Sequence, residues 1–296
     1  MKYEFIDAHS DEHSIVKMCH VLHTSPSGYY KWKGKQLQGE TEREKVKEEI
    51  KQKICKSFHE SMGTYGSPRI HDDLIEWGYT ISLKTVARYM QEIGLRAIPL
   101  NKYIVTTKSD HDLTIYPNLV KRKFDVATPN TIWVADITYL WTLQGWLYLA
   151  SIMDLFSRKI IGWSIGPSMK KELVLTALDR AILTRRPGTG LIHHSDRGSQ
   201  YCSSDYIKEL KGHEIQISMS RKGDPYDNAC IESFHATIKK ELIYRYRFES
   251  KEQAIEAVNH YITNVYNERR KHSKLGYRSP NNFERKYQLA LLDSIS

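Results

Sequence analysis

From residue 131 onward the chain switches repeatedly between two hydrophobic periods. Thr131–Leu140 alternates, so Ile132, Val134, Asp136 and Thr138 share one face of a strand. Gly145–Asp154 and Arg158–Ile165 predict two more strands, and the short connections favour an antiparallel meander. Lys170–Thr184 has helical spacing, with Leu173, Ala177, Leu178, Ala181 and Ile182 among its apolar set. A fourth strand follows at Leu191–His194, a short helix at Ser203–Lys211 and a fifth strand at Glu214–Met219. After a polar loop over Ser220–Asp227, one helix is expected to about Ile243 and another from about Ser250 to Tyr266.

The first hundred residues carry only the helical period. Ile15–Leu22 is a short apolar helix candidate, and Ser25-Pro26 can open a second. A longer helix runs from Glu42 to about His59, with Val46, Ile50, Ile54 and Phe58 four residues apart. Ser67-Pro68 opens the next helix and Gly78 stops it; Ser82 caps a third, which Gly94 ends. On that third helix, Leu83, Val86, Met90 and Ile93 form a stripe, and Lys84 and Arg88 lie on the other face. A helix-turn-helix and a plain helical bundle both fit this pattern. The division expected is a helical arm over 1–40, the three-helix module over 41–97, a basic linker over 98–126 and a large domain over 127–290. The linker holds Arg96 at its edge, then Lys102, Lys108, Lys121, Arg122 and Lys123.

Charge narrows the possible partners. The 296 residues carry a net charge of +9, which favours a polyanionic partner. No apolar run approaches the roughly eighteen residues of a spanning helix, so a membrane is not expected. The opening MKYEFIDAHSDEHS lacks the apolar core of a signal peptide, and a cytoplasmic, nucleoid-associated protein is expected. Cys19, Cys55, Cys202 and Cys230 are scattered, which indicates neither a disulfide framework nor a zinc site. The C-terminal part is basic and rich in tyrosine, densest at Glu268–His272; Arg269, Arg270 and Lys271 are its candidate DNA contacts.

Three acids stand out. Asp136 shares a strand face with Ile132 and Val134, a costly place for a charge without compensation. Asp196 follows the fourth strand, and Glu232 lies in a helical segment thirty-five residues further on. A hard divalent cation is one compensator for converging carboxylates. Asp154, ahead of a turn, reads as structural. His193 and His194 are neighbours on a strand, so they point to opposite faces and cannot both serve one site.

The motifs W-x-x-D-I-T-Y (Trp133–Tyr139), H-S-D-R-G-S-Q-Y (His194–Tyr201) and D-N-A-C-I-E-S-F (Asp227–Phe234) resemble those of insertion-sequence transposases of the retroviral-integrase superfamily. The spacing of Asp196 and Glu232, and Lys239 seven residues after the glutamate, match as well. More narrowly, nearly the whole chain is similar to the OrfB product of the insertion-sequence-three family. His235 departs from the aromatic more usual there and is not expected to touch the acids.

The resemblance implies a ribonuclease-H-like α/β core, with a mixed five-stranded sheet, behind a small all-α helix-turn-helix module. It implies a DNA transposase that cuts at inverted terminal repeats and joins the 3′-ends to target DNA. Asp136, Asp196 and Glu232 are then both catalytic and metal-binding residues. They would hold two Mg2+ or Mn2+ ions, with Asp136 bridging and the carboxylates close enough to share the pair. Lys239, Lys84 and Arg88 join the basic cluster as expected DNA contacts. Further copies of the chain on the DNA, and an upstream-frame OrfA product, are the expected protein partners. Two other functions fit parts of the pattern: a non-catalytic DNA-binding regulator, and a ribonuclease-H-type nuclease that cuts without joining.

Overall fold

The computed structural model describes residues 2–37, 41–97 and 113–294, in two compact units, Met1–Ala97 and Ile98–Ser296. The first half of the expected linker, with Lys102 and Lys108, lies outside the described residues.

The first unit is all helical. Helices α1 (Lys2–Ala8), α2 (Ile15–Val21) and α3 (Pro26–Leu37) gather around Ile6, Met18, Cys19 and Tyr29. Asp7 links two of these helices, accepting from the Tyr29 hydroxyl at 2.6 Å and pairing with Lys33 at 2.7 Å. Helices α4 (Glu42–Glu60), α5 (Ser67–Glu76) and α6 (Leu83–Glu92) enclose a second core of Ile50, Ile54, Ile70, Leu74, Val86 and Met90. Local chemistry sets their starts. Thr41 and Glu44 form a reciprocal capping box on α4, and the backbone N–H of Thr41 holds the Glu44 carboxyl down to about 2. Ser82 accepts from the Thr85 N–H at the start of α6. Gly66, rather than Ser67, caps α5, because Ser67 already has helical geometry ahead of Pro68. Lys84 and Arg88 are exposed on α6, and Arg88 lies 3.7 Å from Glu92.

The second unit is a mixed sheet with helices on both faces. Strands β1 (Ile132–Thr142), β2 (Gly145–Asp154) and β3 (Lys159–Gly166) form the antiparallel meander. Helix α7 (Lys171–Arg185) then crosses the sheet. β4 (Ile192–Ser195) pairs parallel to β1, and β5 (Gln216–Met219) parallel to β4 after α8 (Ser204–Gly212). The strand order is β3-β2-β1-β4-β5. The alternation in β1 sorts two cores. Ile132, Val134 and Leu140 pack with Ile231, Phe234 and Ile238 of α9 (Ala229–Ile238) and with α10 (Lys251–His260). Trp133 and Ala135 face Val174, Ala177 and Leu178 of α7 and Tyr206 of α8. Each face buries a continuous apolar layer, the largest favourable contribution to such a domain.

Two expected helices end in π-helical turns, Lys239–Ile243 after α9 and Tyr261–Tyr266 after α10. The first turns Glu241 inward, where Tyr261 donates to it at 2.6 Å and Arg270 at 3.0 Å. The N-terminal α1 and a final helix, α11 (Pro280–Asp293), go beyond the elements read from the sequence. Glu284 fastens α11 by pairing with Arg185 and Lys159 and accepting from Ser157. Among the described residues no helix is long and apolar enough to cross a membrane.

Candidate active site

The parallel pairing of β1 with β4 brings two of the acids together. Val134 pairs with His194 and Ala135 with Ser195. One further step of that register sets Asp196, just past β4, beside Asp136 on the same face. Beyond Ala135 no described strand pairs with β1 on its β4 side, because β4 ends at Ser195 while β1 runs on to Thr142. Glu232 comes from the first turn of α9, which packs over this face.

The D-N-A-C-I-E-S-F motif is built to hold that helix end. Asp227 is fully buried and accepts from the guanidinium and backbone of Arg221, from Arg122 and from Asn118. The Arg221 hydrogen bonds keep its carboxyl well below the usual range. Asn228 donates to the carbonyl of Ala135 at 3.0 Å, tying the start of α9 to the residue before Asp136. Ile231 and Phe234 are buried in the core, which leaves Glu232 between them facing the acids.

The three carboxylates lie within electrostatic reach of one another. Burial, with the charges of Asp136 and Asp196, pushes the Glu232 carboxyl up to about 7. Burial, then Tyr206 and the charges of Asp136 and Asp196, raise the Tyr201 phenol, whose hydroxyl is buried without a hydrogen-bond partner. The site is not a ready-made cage, however. Among the described residues no three His, Cys, Asp or Glu side chains are already gathered as an ion site. Like charges keep apart, and two of the acids are tied locally. Asp136 Oδ1 accepts from the Ile137 N–H at 2.8 Å, and Asp196 Oδ1 from the Gly198 N–H at 2.9 Å.

His235 corrects the sequence reading most directly. It is buried and does touch an acid: Nδ1 lies 3.2 Å from Asp136 Oδ2, and Nε2 lies 2.7 Å from Ser151 Oγ. An ionised carboxylate only accepts, so in a neutral ring Nδ1 carries the proton and Nε2 accepts from Ser151. The signal available was spacing: His235 is three residues after Glu232, within about 60° of the same helix face, and lies buried on α9.

Lys239 sits at the far end of α9 with its ammonium 4.3 Å from the centroid of the Tyr139 ring. Burial lowers its pKa, and the Asp136 charge acts in the opposite sense. Of the basic C-terminal cluster, Arg269 is exposed. Arg270 and Lys271, also expected on DNA, are mostly buried. The Arg270 guanidinium is taken up by Glu241, and Lys271 is buried. The remaining rival groups are structural. Asp154 accepts from the N–H groups of Asn130 and Phe156 at the β2–β3 turn. His193 bonds Tyr206, and His194 bonds Ser218 and Ser220, on opposite faces of the sheet.

Comparison with known proteins agrees with this architecture. Two families, both described as integrase core domain, match residues 127–225 and 213–280, and one described as HTH-like domain matches residues 45–103. Transposase InsF for insertion sequence IS3A of Escherichia coli (strain K12) is 42% identical over 286 residues, 97% of this chain and 99% of that one. The insertion element IS600 uncharacterized 31 kDa protein of Shigella sonnei is 43% identical over 273 residues, 91% of this chain and 98% of the other. Among solved structures, the catalytic core domain of BIV integrase aligns at 18% identity and a TM-score of 0.41, over 55% of this chain and 99% of that one. The HTLV-2 integrase catalytic core domain in complex with magnesium aligns at 18% identity and a TM-score of 0.39, over 51% and 94%.

The second unit is thus a ribonuclease-H-like integrase core, the fold of a polynucleotidyl transferase that works on DNA. The chain belongs to the insertion-sequence-three transposase family, and it is a DNA transposase with an HTH-like domain ahead of its integrase core.

Proposed function

We propose that Asp136, Asp196 and Glu232 form the catalytic acids of this transposase, cutting the strand at the element's inverted terminal repeats and joining the freed 3′-ends to target DNA. The observation that carries this reading is Glu232, a half-buried carboxyl whose largest charged influences are two further acids. Three carboxylates are a hard-oxygen donor set, which fits Mg2+ or Mn2+ and not a softer metal. When bound, two such ions would supply positive charge at the attacking and departing oxygens. The chain's own part is to hold the donors. His235 and Ser151 fix the Asp136 carboxylate, Gly198 steers Asp196, and Asn228 fixes the helix end that carries Glu232. Glu232 must release its proton to serve as a ligand. Lys239, near Asp136, would neutralise a phosphate beside the scissile bond.

The test is strand transfer by the full chain with Asp136→Asn, Asp196→Asn or Glu232→Gln. Each should abolish cleavage and joining while circular dichroism and DNA binding persist. Normal transfer by any one of them refutes the triad. Joining of a pre-cut 3′-end by the wild-type chain separates a transposase from a nuclease that only cuts.

In the first unit, exposed Lys84 and Arg88 on α6 would meet DNA phosphates, with Arg269 as a further contact in the second unit. This follows the division into arm, module, linker and catalytic domain, with copies of the chain and an upstream-frame product as partners. Alanine at Lys84 and Arg88 together should weaken duplex binding and flatten its salt dependence by about one unit of slope per lost phosphate contact. An unchanged slope returns α6 to a packing role.

A further inference from the structure

The integrase core carries an aromatic surface that neither its packing nor the acids use. Trp141 and Trp146 pair across the β1–β2 hairpin, their ring centroids 4.8 Å apart and edge to face. Trp146 also meets Tyr139 edge to face at 5.2 Å. Trp146 nevertheless remains 45% exposed and Trp141 53%, so the pair is not core. Opposite the hairpin, the segment after the first π-helical turn presents Tyr244, which is 70% exposed, and Tyr246. A groove of about 390 Å³ lies between them, with Lys239 and exposed Arg247 in its lining and no acidic residue. That volume suits one small planar ligand, at the lower end of the roughly 300–1,000 Å³ of ligand sites.

The lining chemistry indicates the occupant. Aromatic residues and arginine are common at protein interfaces but lysine is depleted there, whereas this groove sets Lys239 as well as Arg247 among flat aromatic faces. That combination matches single-stranded nucleic acid, whose bases stack while their phosphates meet basic side chains. One groove residue also lies near the acids. Lys239 lines it, with its ammonium 4.3 Å from the Tyr139 ring centroid, and feels the Asp136 charge; Tyr139 itself points to the other face of β1 from Asp136.

We infer that this groove stacks one unpaired nucleobase of the DNA strand that enters the active site, with flanking phosphates against Lys239 and Arg247. The inference rests on the reading of the acids as a DNA-processing site. Taking one base out of the duplex would fix the position of the strand at the scissile bond without reading its sequence, since every base has a face to stack.

The test uses the full chain in EDTA, where no chemistry runs. The probes are a short blunt duplex and the same duplex with a single-stranded overhang that carries a fluorescent aminopurine. The overhang should bind about tenfold more tightly than the blunt end, within the range of one stacked base, and its fluorescence should be quenched. Trp146→Ala should remove the preference and the quenching while blunt-duplex affinity and the circular dichroism spectrum stay as they were. Trp146→Phe, which keeps a ring, should restore most of both. An abasic overhang should behave as a blunt end. Equal affinity for the two probes overturns the inference, as does an overhang preference that survives Trp146→Ala. A change of oligomeric state in Trp146→Ala, with the preference intact, would instead make this a surface between copies. Because the measurement excludes divalent ions, its failure is distinct from a failure of the triad, which is read from strand transfer.

Discussion

Asp227 and Glu232 stand five residues apart in one motif, and they are treated in opposite ways. Asp227 is fully buried yet held well below the usual carboxylate range by Arg221, with Arg122 and Asn118 adding hydrogen bonds. Glu232 is only half buried, and it is pushed up to about 7 by that burial and by two more acids. Depth alone therefore does not decide the charge state; the neighbours do. Where the fold uses an acid as a rivet, it supplies arginine: Glu241 receives Arg270, and Glu284 receives Arg185. Around Glu232 the charges named are of its own sign. Concentrating negative charge there works against folding and prepares the site for a cation.

The largest effect is expected at the rivet. Asp227→Ala should lower stability by about 2 kcal/mol, below the roughly 3–5 of a fully buried pair, because Arg221 and Arg122 stay partly solvated. For a domain of this size that is a fall in Tm of about 4–8 °C. The pH dependence has a definite sign. The folded pKa lies below the unfolded one, so the stabilisation is present above the unfolded value and is lost as pH falls through the folded value. The difference between wild type and Asp227→Ala should thus hold at neutral pH and shrink only in strong acid. A variant as stable as wild type at neutral pH would mean that the arginines contribute nothing, and the contrast with Glu232 would collapse.

The sheet was legible because its signals are local. Alternation in Thr131–Leu140 separates the two cores, and the short connections dictate the meander. The acids were legible through motif and spacing, and the parallel register then brings Asp196 beside Asp136. What escaped depends on partners far apart in the chain. His235 reads as a harmless variation on a helix until β2 supplies Ser151, 84 residues away. Arg270 reads as a DNA contact within its basic run until the π-helical turn delivers Glu241. Helix α11 is fastened through Glu284 to Arg185, 99 residues earlier. The aromatic groove has a related cause. Trp141 and Trp146 look like strand residues for packing, and only their exposure in the folded chain reveals an open face.

The smaller effect, and the sharper test of the comparison, is at Glu232. Its folded pKa of about 7 lies above the unfolded carboxylate value of 4.5. Below pH 4.5 both states hold the proton, and the residue is neutral in its effect. Between 4.5 and 7 the unfolded chain releases the proton while the folded chain keeps it, so stability falls as pH rises. Above 7 the whole penalty is present. Glu232→Gln, which never ionises, should therefore melt with wild type at low pH and above it at pH 8 in EDTA. The gain should be about 1 kcal/mol after discounting for solvent at a half-exposed site, or roughly 2–4 °C. Adding Mg2+ should then reverse the order, raising the melting point of wild type and leaving the glutamine variant nearly unmoved, because only an intact acid set binds the ion. A glutamine variant less stable than wild type at pH 8 in EDTA would show that Glu232 is a held acid like Asp227. The two ends of the motif would then be alike, and the case for a cation at this site would fall with the contrast.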